Sequence, residues 1–315
     1  MQYSDKPLFS IIVALNKRED ELMFSLDSVV SQTYRNVELL LIDQQDETSD
    51  HVDVPSLLDR MSAKGMDARI VDAQRGLKAG EIKNMGLQQA KGQLITFLKP
   101  GDRWEPHYLE EVLLLTKAFP EAEAFATAYQ WHVDSEDFID PKIHLSACAT
   151  GPGLLNEFFD CATKGGQPFV LSSFVACKKL FDRVGLFNTE EEAGHEHDLF
   201  CRAALYSAIA YSPSVLAFAK NDHADAISHS FVASEWSAFV SRVKSYAASE
   251  TEAKRKLSVS RYVGAYLLEL ASLSMTKQRT DLARHLLAHD CCKQFFLRYM
   301  WCRFRCWLGS RGGMI

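Results

Sequence analysis

Four short apolar runs, each ending in a polar residue, constrain this chain more than any other feature. Leu8 to Leu15 closes on Asn16, and Val37 to Ile42 closes on Asp43. Ala68 to Val71 precedes a polar loop, and Leu94 to Leu98 leads through Lys99-Pro100-Gly101 to Asp102. Between them lie helical patterns: Leu22, Leu26, Val29 and Val30 on one side, Ile82 to Ala90 on another. Apolar strands alternating with helices predict a largely parallel sheet covered on both faces, with ligands at the carboxyl ends of its strands. Asn16, Asp43 and Asp102 are all expected at those ends.

The alternation continues with a helix from about Pro106 to Phe119 and a strand near Ala124 to Trp131. A loop-rich stretch follows through Gly153, and nothing recognisable marks the loop Ala147 to Gln167. Further on come a helix start around His195 to Ala203 and a strand around Ile209 to Ala219. From Phe231 onward Gly and Pro nearly vanish and long helical segments run to about Trp307, which places a domain boundary near residue 230. The expected organisation is an α/β domain over residues 1–230 and a helical region over 231–315. No internal repeat or low-complexity tract is evident.

The formal charge of −6 argues against a nucleic-acid partner. No uninterrupted apolar run reaches the ~18–20 residues needed to span a bilayer, and the start lacks a secretory-type apolar core. A cytoplasmic location is therefore expected, at the inner face of the cell membrane if the C-terminal segment touches lipid. The eight cysteines lack paired Cys-X-X-Cys spacing and read as reduced, structural thiols.

Several motifs run in the order of a known family. The opening Ser10-Ile11-Ile12-Val13-Ala14-Leu15-Asn16 and the segment Ser28-Val29-Val30-Ser31-Gln32-Thr33-Tyr34-Arg35-Asn36-Val37-Glu38 resemble the first strand, helix and turn of inverting family 2 glycosyltransferases. Gly76-Leu77-Lys78-Ala79-Gly80-Glu81-Ile82-Lys83-Asn84-Met85-Gly86 resembles the family's Gly-rich loop ending in Ala-Arg-Asn-X-Gly. Leu98-Lys99-Pro100-Gly101-Asp102, with Trp104 and Pro106 after it, resembles the family's Leu-Asp-X-Asp-Asp segment. Lys99 and Gly101 stand where the metal-binding pair of acids is usual.

The resemblance implies a GT-A fold, a mixed and mostly parallel sheet flanked by helices, here with a C-terminal helical extension. It also implies a nucleotide-sugar donor, UDP-linked, whose sugar passes with inversion to a glycan or lipid-linked glycan in polysaccharide or lipopolysaccharide assembly. Asn16 lies at the donor end of the first strand. Asp43 and Gln44 are candidates for holding the base, an amide being able both to donate and to accept; Asp43 can equally cap a turn. Lys83, in place of the family's Arg, can neutralise a phosphate but cannot make the forked contact of a guanidinium. It can also be a solvated lysine at a helix start.

Asp102 is the remaining acid of the metal motif. One carboxylate with phosphates and water can hold Mg²⁺ or Mn²⁺, Lys99 or Arg103 can partly replace the metal's charge, or Asp102 can simply cap the turn. His223 resembles the family histidine that touches diphosphate or metal from a closing loop. In His195-Glu196-His197-Asp198, Glu196 aligns with the general base and Asp198 is the fallback; Asp198 can also anchor the helix carrying Arg202. His195 and His197 can tune the acid or sit as ordinary polar residues.

Residues 293–311 interleave aromatics with Lys293, Arg298, Arg303, Arg305 and Arg311 and contain no acid. Such a segment can make peripheral membrane contact, or pack back as a helix with its arginines at the wet rim. A second reading of the whole chain is a non-catalytic relative that binds a nucleotide or a partner on the same scaffold, and donor hydrolysis separates the two.

Overall fold

A computed structural model describes residues 6–15, 19–44, 53–132, 137–143, 145, 150–164, 166–190, 194–220, 233–248, 252–276 and 278–309. The chain divides into two compact units, residues 1–156 with 167–230, and residues 157–166 with 231–315. The short stretch 157–166, well ahead of the compositional shift near 230, thus groups with the C-terminal helices.

The first unit starts with β1 (Phe9–Ala14), α1 (Glu19–Val30), β2 (Val37–Asp43), α2 (Val54–Ala63), β3 (Ala68–Asp72), α3 (Ala79–Gln89) and β4 (Leu94–Phe97). It continues through β5 (Arg103–Trp104), α4 (Tyr108–Ala118), β6 (Ala122–His132), β7 (Phe138–Ile139) and β8 (Gly153–Leu154). After α5 (Phe158–Lys164) in the other unit come β9 (Phe174–Cys177), α6 (Lys178–Val184), α7 (His195–Tyr206) and β10 (Ala208–Lys220).

One mixed sheet runs in the order β3-β2-β1-β4-β9-β6-β10-β5, with β7 on β6 and β8 on β10. The β3-β2-β1-β4 half is parallel throughout. β1, β2 and β4 are mostly apolar because both their faces are covered, whereas the edge strand β3 is only partly buried: Phe9, Ile11, Val13, Leu39, Leu41 and Leu94 have no exposed surface. β9 runs antiparallel to both β4 and β6, and β10 runs parallel to β6. Chain order reverses direction between β1 and β4, the position at which open α/β sheets leave a crevice beyond their carboxyl edges.

The segment Ser28 to Glu38 is a set of ties. Gln32 Nε2 donates to the Glu105 carbonyl at 2.8 Å, and its Oε1 accepts from the Leu109 amide at 3.2 Å. The Thr33 amide reaches the Pro106 carbonyl, and Tyr34 Oη donates to the Pro7 carbonyl at 2.7 Å. The Gln32 and Thr33 bonds fix the α1–β2 corner to the start of α4 and the chain just before it, and the Tyr34 bond ties it to the residues ahead of β1. Trp104 completes that region, stacked on Tyr108 with its indole N–H on the Ser172 carbonyl at 2.5 Å.

The second unit contains α5, α8 (Ala233–Ala248), α9 (Ala253–Thr276), α10 (Thr280–Leu287) and, after a 3-10 turn, α11 (Phe296–Gly309). Its centre is α9, which buries Val259, Tyr262, Val263, Leu267, Leu268 and Ala271. At Gly264 a Cβ would lie 2.3 Å from the backbone carbonyl oxygen of Cys291, so only glycine admits that approach. Among the described residues no helix is long and apolar enough to cross a membrane.

Candidate active site

Two motifs separated by more than a hundred residues meet at Lys83. Its Nζ lies 2.8 Å from His195 Nε2 and 3.2 Å from Glu196 Oε1. Lys83 is on α3, whereas His195 and Glu196 form the first turn of α7. The local sequence explains the meeting. Asn84, next to Lys83, makes a reciprocal pair of 2.9 Å hydrogen bonds with the backbone N–H and C=O of Phe187. Gly86 lets α3 lie against Ile12 of β1, where a Cβ would be 2.5 Å from the isoleucine methyl. Gly80 is crowded in the same way by the Asn188 carbonyl. The Ile82-Lys83-Asn84-Met85-Gly86 motif thus clamps the 185–190 loop to α3 and seats α3 on the sheet. Lys83 then sits 5.8 Å from the Phe187 ring centroid, and that ring makes an edge contact with His195.

Electrostatics inside this junction are strongly biased. Burial alone pushes the Glu196 carboxyl up, but Lys83, Lys99 and His195 outweigh it and hold it at about 2. Burial lowers the Lys83 ammonium, with Glu196 opposing and Lys99 reinforcing the shift. Burial and then the Lys83 charge drive His195 down to about 3, so its ring is neutral near pH 7. Because Lys83 donates to Nε2, the proton of that neutral ring lies on Nδ1, which is buried and has no partner among the described residues.

Asp198, in the same helical turn, is 1% exposed and holds Arg202 through its Oδ2, 2.9 Å from Nε and 2.7 Å from the second terminal nitrogen. Arg202 in turn donates to the carbonyls of Val184, Gly185 and Leu186 at the end of α6. Asp198 thereby ties the first turn of α7 to the end of α6.

Asp102 lies in the turn between β4 and β5, 3% exposed. Its Oδ2 accepts from Ser172 Oγ at 2.5 Å and its Oδ1 from the Lys220 backbone amide at 2.8 Å. Burial pushes its carboxyl up, against the opposing effects of Lys99, these two donors and His132. Gly101 has φ +92°, and a Cβ there would lie 3.1 Å from Lys220 Cδ. That conformation accounts for glycine at a position where the family carries an acid. Gly101 N–H donates to Ser25 Oγ at 2.9 Å and the Lys99 amide to Ser172 Oγ at 3.1 Å, so the turn is knit to α1 and to the chain before β9.

Among the described residues no three His, Cys, Asp or Glu side chains converge. Each Asp102 oxygen accepts one internal hydrogen bond, and the neighbouring positions 99 and 101 carry Lys and Gly in place of acids, so Mg²⁺ or Mn²⁺ at Asp102 would draw most of its shell from phosphate and water. Lys99 instead acts electrostatically on Lys83, His195, Glu196 and Asp102 together.

Asp43 ends β2, and Gln44 follows with its Nε2 2.6 Å from the Leu77 carbonyl in the Gly-rich loop. Asn16 and His223 lie outside the described residues. Sequence reasoning did not find Asn84, Ser172 or Lys99 as an electrostatic partner of Glu196. The only signal for Asn84 was its place inside the Gly-rich motif, and Ser172 carried none.

Comparisons with known proteins agree on one family. Glycosyl transferase family 2 matches residues 10–175. Among similar curated proteins, the UDP-Glc:alpha-D-GlcNAc-diphosphoundecaprenol beta-1,3-glucosyltransferase WfaP of Escherichia coli is 28% identical over 49% of this chain, and the putative colanic acid biosynthesis glycosyl transferase WcaA of E. coli K12 is 25% identical over 63%. The matches span 58% and 66% of those relatives' own lengths. Among solved structures, S. aureus TarS 1–349 in complex with UDP-GlcNAc has a TM-score of 0.63 at 13% identity, covering 88% of this chain and 87% of that one. The fold is thus the GT-A arrangement, and the chain belongs to glycosyl transferase family 2.

Proposed function

We propose that this chain transfers a sugar from a UDP-sugar to a hydroxyl of a glycan or lipid-linked glycan, with inversion, in the assembly of a bacterial polysaccharide. The donor class is supported by TarS, solved with UDP and with UDP-GlcNAc, and by the UDP-Glc donor in WfaP's name. The polysaccharide setting is supported by WcaA's name. The observation that carries the reading is the Lys83–Glu196 ion pair, which joins a phosphate-side cation to the candidate base.

In this arrangement Lys83 serves first as a counter-charge for Glu196. A carboxylate held at about 2 is a poor proton acceptor, since general bases work best with values near the working pH. The donor's diphosphate competes for the Lys83 ammonium, and once that charge turns to phosphate, burial dominates and Glu196 becomes more basic. Glu196 then takes the acceptor hydroxyl's proton while the hydroxyl oxygen bonds to the anomeric carbon and UDP departs from the opposite face. Lys83 and Lys99 meet the charge growing on the leaving diphosphate. In this reading the amide oxygen of Gln44, one of whose two N–H bonds goes to the Leu77 carbonyl, and the Asp43 carboxylate accept from the base. Asp198 holds the turn that carries Glu196.

Calorimetric titration with UDP, with Mg²⁺ or Mn²⁺ and then with chelator, tests the donor site, GDP and CDP serving as controls. UDP-selective binding that persists in chelator supports a site built on the two lysines. Absence of UDP binding in every condition, together with no donor hydrolysis, overturns the enzyme reading in favour of a non-catalytic relative.

A further inference from the structure

The final helix carries two apolar faces, and only one of them is used inside the fold. Tyr299, Cys302 and Cys306 are buried, and α11 packs on α9 through Cys302 Sγ toward the Leu268 carbonyl, Cys306 against Met275 and Arg305 onto Ser272 Oγ. On the other side Phe296, Leu297, Met300, Trp301, Phe304 and Trp307 are all exposed, Leu297 by 83% and Trp301 by 59%. At 3.6 residues per turn these six, with exposed Leu308, fall on one arc of about 140°. Arg303 borders that arc on one side, and Arg298 and Arg305 border it on the other. No acid occurs between Phe296 and Gly309, on a chain whose formal charge is −6.

We propose that α11 is an interfacial anchor that lies in the surface of an anionic phospholipid bilayer. Charge complementarity selects this occupant. An apolar arc of aromatics flanked by guanidinium groups suits acyl chains beneath phosphate headgroups, with the arginines extending outward to the phosphates. A protein partner would bury the same rings but would need acids to meet three arginines placed on both edges of the arc. Trp and Tyr side chains favour the headgroup level of a bilayer, and the arc carries two tryptophans. This inference does not rest on the catalytic reading, because it uses no residue of the Lys83–Glu196 junction.

Flotation of the full chain tests it, with vesicles of phosphatidylethanolamine containing phosphatidylglycerol compared with phosphatidylcholine vesicles. The protein is expected to float with the anionic vesicles. Trp301→Ser with Phe304→Ser is expected to weaken partitioning roughly tenfold or more. Arg298→Gln or Arg305→Gln is expected to weaken it roughly fivefold each. Leu114→Ser, which removes an exposed leucine in the other unit, and Glu196→Gln are expected to float as the parent does. Unchanged far-ultraviolet dichroism keeps the comparison to folded protein. Failure to float with anionic vesicles overturns the proposal, as does a Trp301/Phe304 variant that floats normally. Equal binding to phosphatidylcholine overturns the anionic preference. A dimer in sedimentation velocity that the Trp301/Phe304 variant dissolves, without vesicle binding, assigns the face to a second copy instead.

Discussion

The α3–α7 junction holds Glu196 partly buried and the β4–β5 turn holds Asp102 fully buried, and the two carboxylates are pushed in opposite directions. Glu196 is held at about 2, whereas Asp102 is raised. The difference lies in the partners. Glu196 faces an ammonium at 3.2 Å, while Asp102 accepts from a hydroxyl and a backbone amide. An ion pair can be exchanged for another anion, such as a diphosphate, without unfolding anything. A turn closed by bonds from Ser172, Ser25 and Lys220 cannot be opened so cheaply. The same functional group is therefore a candidate reagent in one place and a structural tie in the other.

Glu196→Gln should break the comparison most visibly. It keeps the side chain's shape but removes the proton acceptor, so transfer should fall roughly a hundred- to ten-thousand-fold. UDP affinity by calorimetry should hold or rise, because Lys83 no longer has a carboxylate competing with the diphosphate, and unchanged turnover would remove Glu196 from the base role. Lys83→Met comes next, leaving the partly buried Glu196 without its counter-charge. A loss of about 3 kcal/mol in urea unfolding is expected, with weakened UDP binding. Lys83→Arg should recover part of both, and full stability in the Met variant would mean the ion pair contributes nothing.

His195 gives a pH signature. Its value in the folded protein, about 3, lies below the ordinary 6.5. The unfolded chain therefore takes up a proton first on acidification. Stability is fully present above pH 6.5 and is lost as pH falls, by roughly 2 kcal/mol between 6.5 and 5. Glu196 is depressed from 4.5, so its own contribution is lost only between about 4.5 and 2, outside that window. His195→Gln should flatten the upper slope in chemical denaturation at pH 6.5 and 5, and an unchanged slope would show that another group carries it.

Asp102→Asn should have the smallest effect. Asn retains an acceptor for the Lys220 amide, and the Ser172 hydroxyl can turn to accept, for a cost of about 1 kcal/mol. Loss of UDP binding in this variant would make Asp102 a ligand and not a tie.

Much of the first unit was legible because its parallel strands are buried on both faces. β1, β2 and β4 each appear in the sequence as a short apolar run broken by a single polar residue, Ser10, Glu38 or Thr96. Elements with little apolar content were not legible. α2 buries only Leu57 and Met61, and β5, β7 and β8 are two residues each, β5 and β8 pairing with β10 far along the chain. α5 lies inside the stretch Ala147 to Gln167, where no residue pattern marks a helix. In the site, Lys83 and Glu196 were each identified through family resemblance, but nothing local to either states that they touch. That contact is set by Asn84 holding Phe187, a tertiary arrangement whose two halves carry no shared pattern. The basic-aromatic segment showed its composition plainly, whereas the division of α11 into a cysteine-lined packing face and an aromatic exposed face required coordinates.

The position of β9 has a consequence for how the chain can be made. β4 ends at Phe97 and β6 ends at His132, yet the strand that joins them begins only at Phe174. During synthesis from the N-terminus, the β3-β2-β1-β4 half can assemble while β6 still waits for its neighbour. An unpaired edge therefore persists on β4 until Cys177 has emerged. Such an edge is a template for pairing with the wrong strand, and closing it requires a contact between distant parts of the chain, which slows the final step of folding.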